Sequence, residues 1–597
     1  MTIYKQLIAA IALSGLLGLA HADEKEELLK LRNTTVNLIK QLVKQGVLTE
    51  KMANEMIKQA EADAEKQVAE AKKAAGSGAE GAEPAAAQAG KEPIGKDEVR
   101  VTYVPDFIKD EIRQQVRSEL RDEVVGDVMQ KAKDEQWGLP GALPDWVKRF
   151  KLSGDIRLRE QSSMLPSDNI SPINDLSVNA YPNYNGINTG TVSQAQTGTP
   201  NALLNTNINQ NIGRERFRLG IDANVTEGVD AGIRLSIGNT QNPISTNQTL
   251  GNYGLAYQLA VDRAFLRYNA FDSYHYNWLT LMGGRTPNPF FTAGSEMVWD
   301  EDLSFEGASA TVRQRLGYSQ LADEIGGMGP SVFGALGVYP LQSQNPWTGL
   351  SGLQQWLFGG QGGLDWGFDN QDSLKIAAAY YDYQGIRGNI NKSAIDNSCV
   401  DSSQNVTQTA PLFVQGGNTM VGLCGSGAAG TYSQTAGRYG FASDFQILNL
   451  NALYDFALFS PVHLKISADY AKNMGYNPNK ILSYANGYIS GPGTATGLGS
   501  GSVGWQVKFD LGWSRIDVPG NWNVYALYRY LESDAVLSSY TDSDFHLGFT
   551  NTKGWVLAGN YGIMKNVWLS GRWLSADIIT GPNYSMDVMQ LDINTRF

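Results

Sequence analysis

Two groups of ionisable residues stand out, and their chemistry is to set a field rather than to break bonds. Arg157 and Arg159, Arg216 and Arg218, Arg234, then Arg263 and Arg267 recur on the polar side of stretches that alternate apolar and polar residues. Glu296, Asp300, Glu301, Asp302 and Glu306 fall within eleven residues, just after Pro287-Asn-Pro-Phe290 and Phe291. Guanidinium groups facing carboxylates across a water-filled gap produce a transverse field, which orients polar solutes and slows apolar ones. The plainer readings are a solvated wall that happens to carry Arg and an acidic loop standing in solvent. Bond-making chemistry finds little support. Nucleophilic catalysis needs a Ser or Cys beside an oriented His, and the four His (His21, His275, His463, His546) include none in a Gly-x-Ser-x-Gly or comparable setting. No catalytic residue, metal site or cofactor is expected, and no C-x-x-C-H haem site occurs.

Strands must position these charges. Glycine (65), Tyr (27) and Trp (13) are plentiful and charged residues make up only 18%, which suits a large β protein rich in turns. The net charge of −12, with no basic domain, argues against nucleic acid as a partner. From Phe150 onward sixteen alternating runs centre near Ile156, Leu219, Ile233, Leu266, Leu281, Ala308, Leu336, Phe358, Ala378, Leu450, Ile466, Val507, Ala526, Leu557, Leu569 and Leu591. In the last, Met589, Leu591, Ile593, Thr595 and Phe597 share one side; Gln590, Asp592, Asn594 and Arg596 share the other. Lipid outside and water inside a sheet require this division in every strand.

Loop lengths discriminate further. Long connections near 161–212, 239–258, 285–304, 340–355, 384–444, 474–503, 532–546 and 578–585 alternate with short ones such as Thr226-Glu-Gly228, Asp369-Asn-Gln-Asp372, Ser460-Pro461, Pro519-Gly520 and Lys565-Asn566. A soluble sandwich has no reason to segregate loops by parity, whereas an outer-membrane barrel has short periplasmic turns and long outer loops. The expected fold is therefore a 16-stranded antiparallel transmembrane β-barrel over residues 150–597, closed by pairing of its last strand with the strand after Phe150. The connection at about 314–330 is too long for a tight turn, so either that turn is elaborated or a strand is misplaced.

A helical, coiled-coil-like region precedes the barrel. Lys5, the apolar stretch Leu7 to Leu19 and Ala20-His21-Ala22 read as an export signal over residues 1–22. Residues 23–73 are expected to be helical in the periplasm; Leu28, Leu31, Thr35, Leu38 and Leu42 follow a seven-residue repeat, for a self-packed hairpin or a short stalk. Residues 74–95, rich in Ala, Gly, Glu and Pro, form a flexible linker. Residues 96–149 read as a short strand, a long helix from Pro105 to about Lys133, and a Trp137/Trp146 collar between prolines. Cys399 and Cys424 share one polar, Gly-rich stretch, which in an exported chain suggests a disulfide pinning a loop, the alternative being two free thiols.

The chain resembles the proteobacterial "putative porin" family from about Leu28 to Phe597. The resemblance is carried by Val101-Thr-Tyr-Val-Pro105, Gly284-Arg285-Thr-Pro-Asn288-Pro289-Phe290 and Val298-Trp299-Asp300-Glu301-Asp302-Leu-Ser-Phe305-Glu306-Gly307. It implies an outer-membrane channel for passive diffusion of small hydrophilic solutes and ions, a homotrimer by analogy with other porins, and recognition of Phe597 by the barrel-assembly machinery. In porins the third long loop commonly folds inward, which here would bring its carboxylates against the arginines. Two rival roles remain: an envelope tether binding the cell wall or a periplasmic protein through residues 23–133, and a sleeve around an electron-transfer cytochrome.

Overall fold

In a computed structural model, the described residues are 147, 149–170, 181–189, 203–238, 240–273, 275–316, 329–343, 354–368, 370–390, 409–424, 438–485, 489–490 and 498–597. The expected export signal, N-terminal helices, linker and Trp collar lie outside them, and so does Cys399, hence any pairing with Cys424.

Sixteen long strands follow one another: β1 (Phe150–Met164), β2 (Gln210–Thr226), β3 (Val229–Ile237), β4 (Leu259–Phe271), β5 (Asn277–Thr286), β6 (Phe305–Arg315), β7 (Gly329–Ser343), β8 (Gln354–Gly367), β9 (Ser373–Gln384), β10 (Phe445–Phe459), β11 (Val462–Asn473), β12 (Val503–Trp513), β13 (Trp522–Leu531), β14 (Thr552–Met564), β15 (Val567–Ile578) and β16 (Ser585–Arg596). Each expected centre falls inside its strand. Every strand pairs antiparallel with the next. The sheet closes because β1 pairs with both β2 and β16, the seam running from Asp155 opposite Arg596 to Met164 opposite Asp587. Closure leaves no strand edge unpaired, as a lipid environment requires.

The faces follow the pleat. On β16, Met589, Leu591 and Ile593 are 45%, 64% and 51% exposed outward, while Gln590, Asp592 and Asn594 are 1%, 6% and 7% exposed toward the interior. Short turns gather at one end, where β1 begins and β16 ends. Only glycine suits the β2–β3 turn: Gly228 has φ +74°, and a Cβ there would come within 2.6 Å of the Asn269 carbonyl oxygen. The connection after β6 is an elaborated turn and not a misplaced strand, since β6 and β7 are direct neighbours; residues 317–328 within it are not described. The loops add an element that alternation did not reveal, a small sheet of Met420–Cys424, Arg438–Phe441 and Ile489–Ser490.

Candidate functional site

The connection from β5 to β6, residues 287–304, turns into the barrel. Its sequence explains why. Phe290, Met297, Val298, Trp299 and Leu303 would be costly to leave in water, at about 1.5–3 kcal/mol each. They are buried in one cluster with Phe305 of β6, Tyr339 of β7, Leu357 of β8, Tyr381 and Tyr383 of β9, Ile447 of β10, Ala471 of β11 and Leu531 of β13. Trp299 lies edge-on to Phe305 and Tyr381, ring centres 4.9 Å away in both cases. Gln361 of β8 grips the loop backbone: its amide donates to Phe291 O at 2.9 Å, and its Oε1 accepts from Phe291 N at 2.7 Å. The loop is thereby held against the aromatic wall, and its acidic tip faces the opposite, basic wall.

The arginines lie on that wall, and most are already paired. Arg159 bonds Asp592, its cross-strand neighbour on β16, at 2.8 and 2.9 Å, and also Asp544 at 3.0 Å. Arg218 bonds Asp155 and Asp302, both at 2.7 Å, and Arg216 shares these partners at 3.1 and 3.5 Å. Arg234 pairs with Asp262, and Arg267 with Asp230 at 3.0 Å. Arg263 donates to Ser304 Oγ at 3.2 Å, and Arg157 to Asn247 Oδ1 at 2.6 Å. Among the described residues neither makes an ion pair, and the same holds for Arg214, one further inward position along β2. Asp302 is thus the loop carboxylate that reaches the arginines directly. Glu306 stands apart on β6, exposed and paired with Arg285 at 2.5 Å.

A second inward loop escaped the sequence reading. Residues 532–551, between β13 and β14, bring Asp542 to Arg529 at 3.0 Å and Asp544 to Arg572 at 2.9 Å. They also stitch themselves to the first loop. Asp300 N donates to Tyr540 O (2.8 Å) and Asp542 N to Glu296 O (3.0 Å). Thr541 Oγ1 donates to Met297 O (2.8 Å), and Ser543 N to Asp300 Oδ2 (3.1 Å). His546 is buried in this loop with Nε2 2.9 Å from Tyr584 O, and burial pushes its imidazole down to about 4. His463 lies on β11 with Nδ1 2.7 Å from Asp455 Oδ1, and His275 sits in the β4–β5 turn. The sequence did hold a signal for the second loop, since Val536, Leu537, Phe545 and Phe549 are large apolar residues within a connection and all four are buried.

Between the loops and the basic wall lies a cavity of about 500 Å³. Arg157, Lys508 and Arg572 line it from the strands, and Glu296, Asp300, Glu301, Asp302, Asp542 and Asp544 from the loops. Burial, then Asp542 and Glu301, push the Glu296 carboxyl up to about 8. Burial and Glu296 likewise raise Asp300 well above the carboxylate range. Burial would raise Asp302 too, but Arg216 and Arg218 hold it below that range. A carboxylate that titrates near 8 is neutral below that pH and charged above it. Raising the bath from pH 6 to pH 9 therefore adds negative charge to the cavity. The reversal potential in a salt gradient should move toward cations over this interval, and Glu296→Gln should remove most of the movement.

A family model described as "putative porin" matches residues 32–597. Among solved structures, the chain is similar to the outer membrane channel DcaP of Acinetobacter baumannii, at 12% identity over 75% of this chain and 97% of that one, with a TM-score of 0.33. Salmonella typhi OmpF in complex with daunomycin matches at 11% identity over 75% and 97%, TM-score 0.34. The high-pH structure of Pseudomonas putida OprB matches at 11% over 76% and 95%, TM-score 0.39. At these TM-scores the likenesses carry no argument of their own. No curated protein matches the chain.

Proposed function

The chain belongs to the putative porin family, and from that premise we propose that it lets small hydrophilic solutes and ions diffuse passively through a water-filled barrel narrowed by the 287–304 loop. Family and fold are those of an outer-membrane channel rather than an enzyme. One observation carries the finer reading: the loop carboxylates and the strand cations line the same 500 Å³ cavity inside the barrel. In a channel, selectivity follows the narrowest point and the charges around it. The test is a planar-bilayer recording of the purified protein. Stepwise, ohmic conductance is expected; membranes that stay silent with correctly folded protein would contradict a porin.

The assembly in this proposal is a homotrimer, with residues 23–133 in the periplasm and free to contact cell wall or a periplasmic protein. The cytochrome-sleeve reading loses support, because two loops stitched together inside the barrel leave little room for a threaded haem protein.

Phe597 has a part in assembly on this reading. It is exposed on the outer face, and its backbone bonds Gly154 of β1 in both directions, at 2.8 and 3.0 Å. It is the last rung of the seam that closes the barrel. Deleting Phe597 should lower the amount of barrel inserted in the outer membrane, seen as less heat-modifiable protein, while the copies that insert conduct normally.

A further inference from the structure

Subtracting the internal ion pairs shows which charges in the 500 Å³ cavity are left for a solute. Asp302 is neutralised by Arg216 and Arg218, Asp542 by Arg529, and Asp544 by Arg159 and Arg572. On the strand side Arg157 remains: among the described residues its side chain bonds the neutral amide of Asn247, and its Nε is buried without a partner. Lys508 also lines the cavity, but from β12, five strands round the barrel from β1, and it lies near Asp510, with Nζ 3.8 Å from Asp510 Oδ2 and 4.2 Å from the Tyr525 ring centre. On the loop side Glu296 and Asp300, whose carboxyls burial keeps largely protonated near neutral pH, carry little charge, while Glu301 is exposed to the cavity and forms no ion pair among the described residues. Among the described residues the cavity therefore presents one cation without an ion pair, Arg157, on its strand side and one carboxylate without an ion pair, Glu301, on its loop side, at a volume typical of small-molecule sites.

A single ion meets attraction on one wall and repulsion on the other. A solute carrying both charges, a few bonds apart, meets attraction on both if it turns the right way. We infer that the constriction favours small zwitterions, of the α-amino-acid type, over neutral polyols of equal size, with the solute carboxylate toward Arg157 and its ammonium toward Glu301. This rests on the porin reading above and names the solute class for it. The larger cavity of about 910 Å³ does not weaken the point: apart from Asp262, Arg285, Glu306 and Arg438, its lining is uncharged, so sorting by charge falls to the smaller cavity.

Swelling of proteoliposomes made with the full chain separates the outcomes, because L-asparagine and arabinose are similar in size and both carry no net charge. Flux well below saturation follows partition into the narrowest point. One extra net hydrogen bond's worth of attraction corresponds to about fivefold faster entry of asparagine. In an Arg157→Gln, Glu301→Gln double variant the ratio should fall toward one, and each single variant should give an intermediate ratio. Equal rates in the unaltered protein, or a ratio that the double variant leaves unchanged, would overturn the zwitterion preference while leaving the porin intact. Swelling with neither solute would instead overturn the porin reading.

Discussion

Replacing Arg157, Arg216 and Arg263 together by glutamine shifts the reversal potential in a salt gradient toward cations. Each guanidinium removed at about 10 Å from an ion in a water-filled gap changes that ion's energy by roughly 0.4 kcal/mol, or about twofold in permeability. Three such changes raise cation permeability about eightfold and lower anion permeability about eightfold, which is roughly sixtyfold in the cation-to-anion ratio. The single variants should not contribute equally. Arg157 lines the cavity without an ion pair, so its removal acts directly on the ion path. Arg216 is one of two partners of Asp155 and Asp302, so its loss uncovers carboxylates that Arg218 must then neutralise alone. Arg263 sits further off, against Ser304. The expected order is Arg157, then Arg216, then Arg263, in bilayer recordings at high dilution of salt, where screening is weakest. An unchanged potential in the triple variant would remove the arginines from the filter.

Trp299→Ala should have the other large effect, on conductance. Trp299 is the centre of the apolar cluster that keeps the 287–304 loop inside, ringed by Phe290, Phe305, Tyr381, Tyr383 and Tyr540. Truncating a buried Trp costs about 3–5 kcal/mol, more than a loop fastened at both ends by a few hydrogen bonds can absorb. The strand ladder is untouched, so the barrel's thermal unfolding should move little. The loop, however, should leave the lumen part of the time. Single-channel conductance should rise and become noisy, and the charge selectivity that the loop carboxylate Glu301 is proposed to supply should fall. A quiet channel of unaltered conductance would mean that the loop does not limit flow.

The strands were legible because membrane barrels impose a strict rule on sequence. Leu591 must face lipid if Asp592 faces water, and sixteen repetitions of that rule, with loops sorted by parity, leave one architecture. What alternation supplies is a face, not a distance. It placed Arg159 inward but could not show that Asp592, 433 residues away, stands directly across the seam, or that Asp544 would reach it from a loop. Parity alone would have found Asp155, two residues before Arg157 on the same face, and would have shown the arginine wall to be half neutralised. The inward fold of residues 287–304 was expected from resemblance; its physical cause, five large apolar residues in a loop, was present in the sequence. The 532–551 loop carries the same mark in Val536, Leu537, Phe545 and Phe549, all buried, and the sequence reading passed over it. Its Asp542 and Asp544 acquire meaning only when Arg529, Arg159 and Arg572 from three separate strands converge on them.

The most direct test of a lumen narrowed by the 287–304 loop is covalent block at its tip. Glu301 is exposed, lines the cavity and has no ion pair among the described residues, so Glu301→Cys should fold normally. Adding a bulky methanethiosulfonate reagent during a planar-bilayer recording should cut the current of the Glu301→Cys channel in discrete, reducible steps, with no effect on the unaltered protein. If mass spectrometry shows position 301 modified while the current is unchanged, the loop tip does not border the ion path and the constriction lies elsewhere.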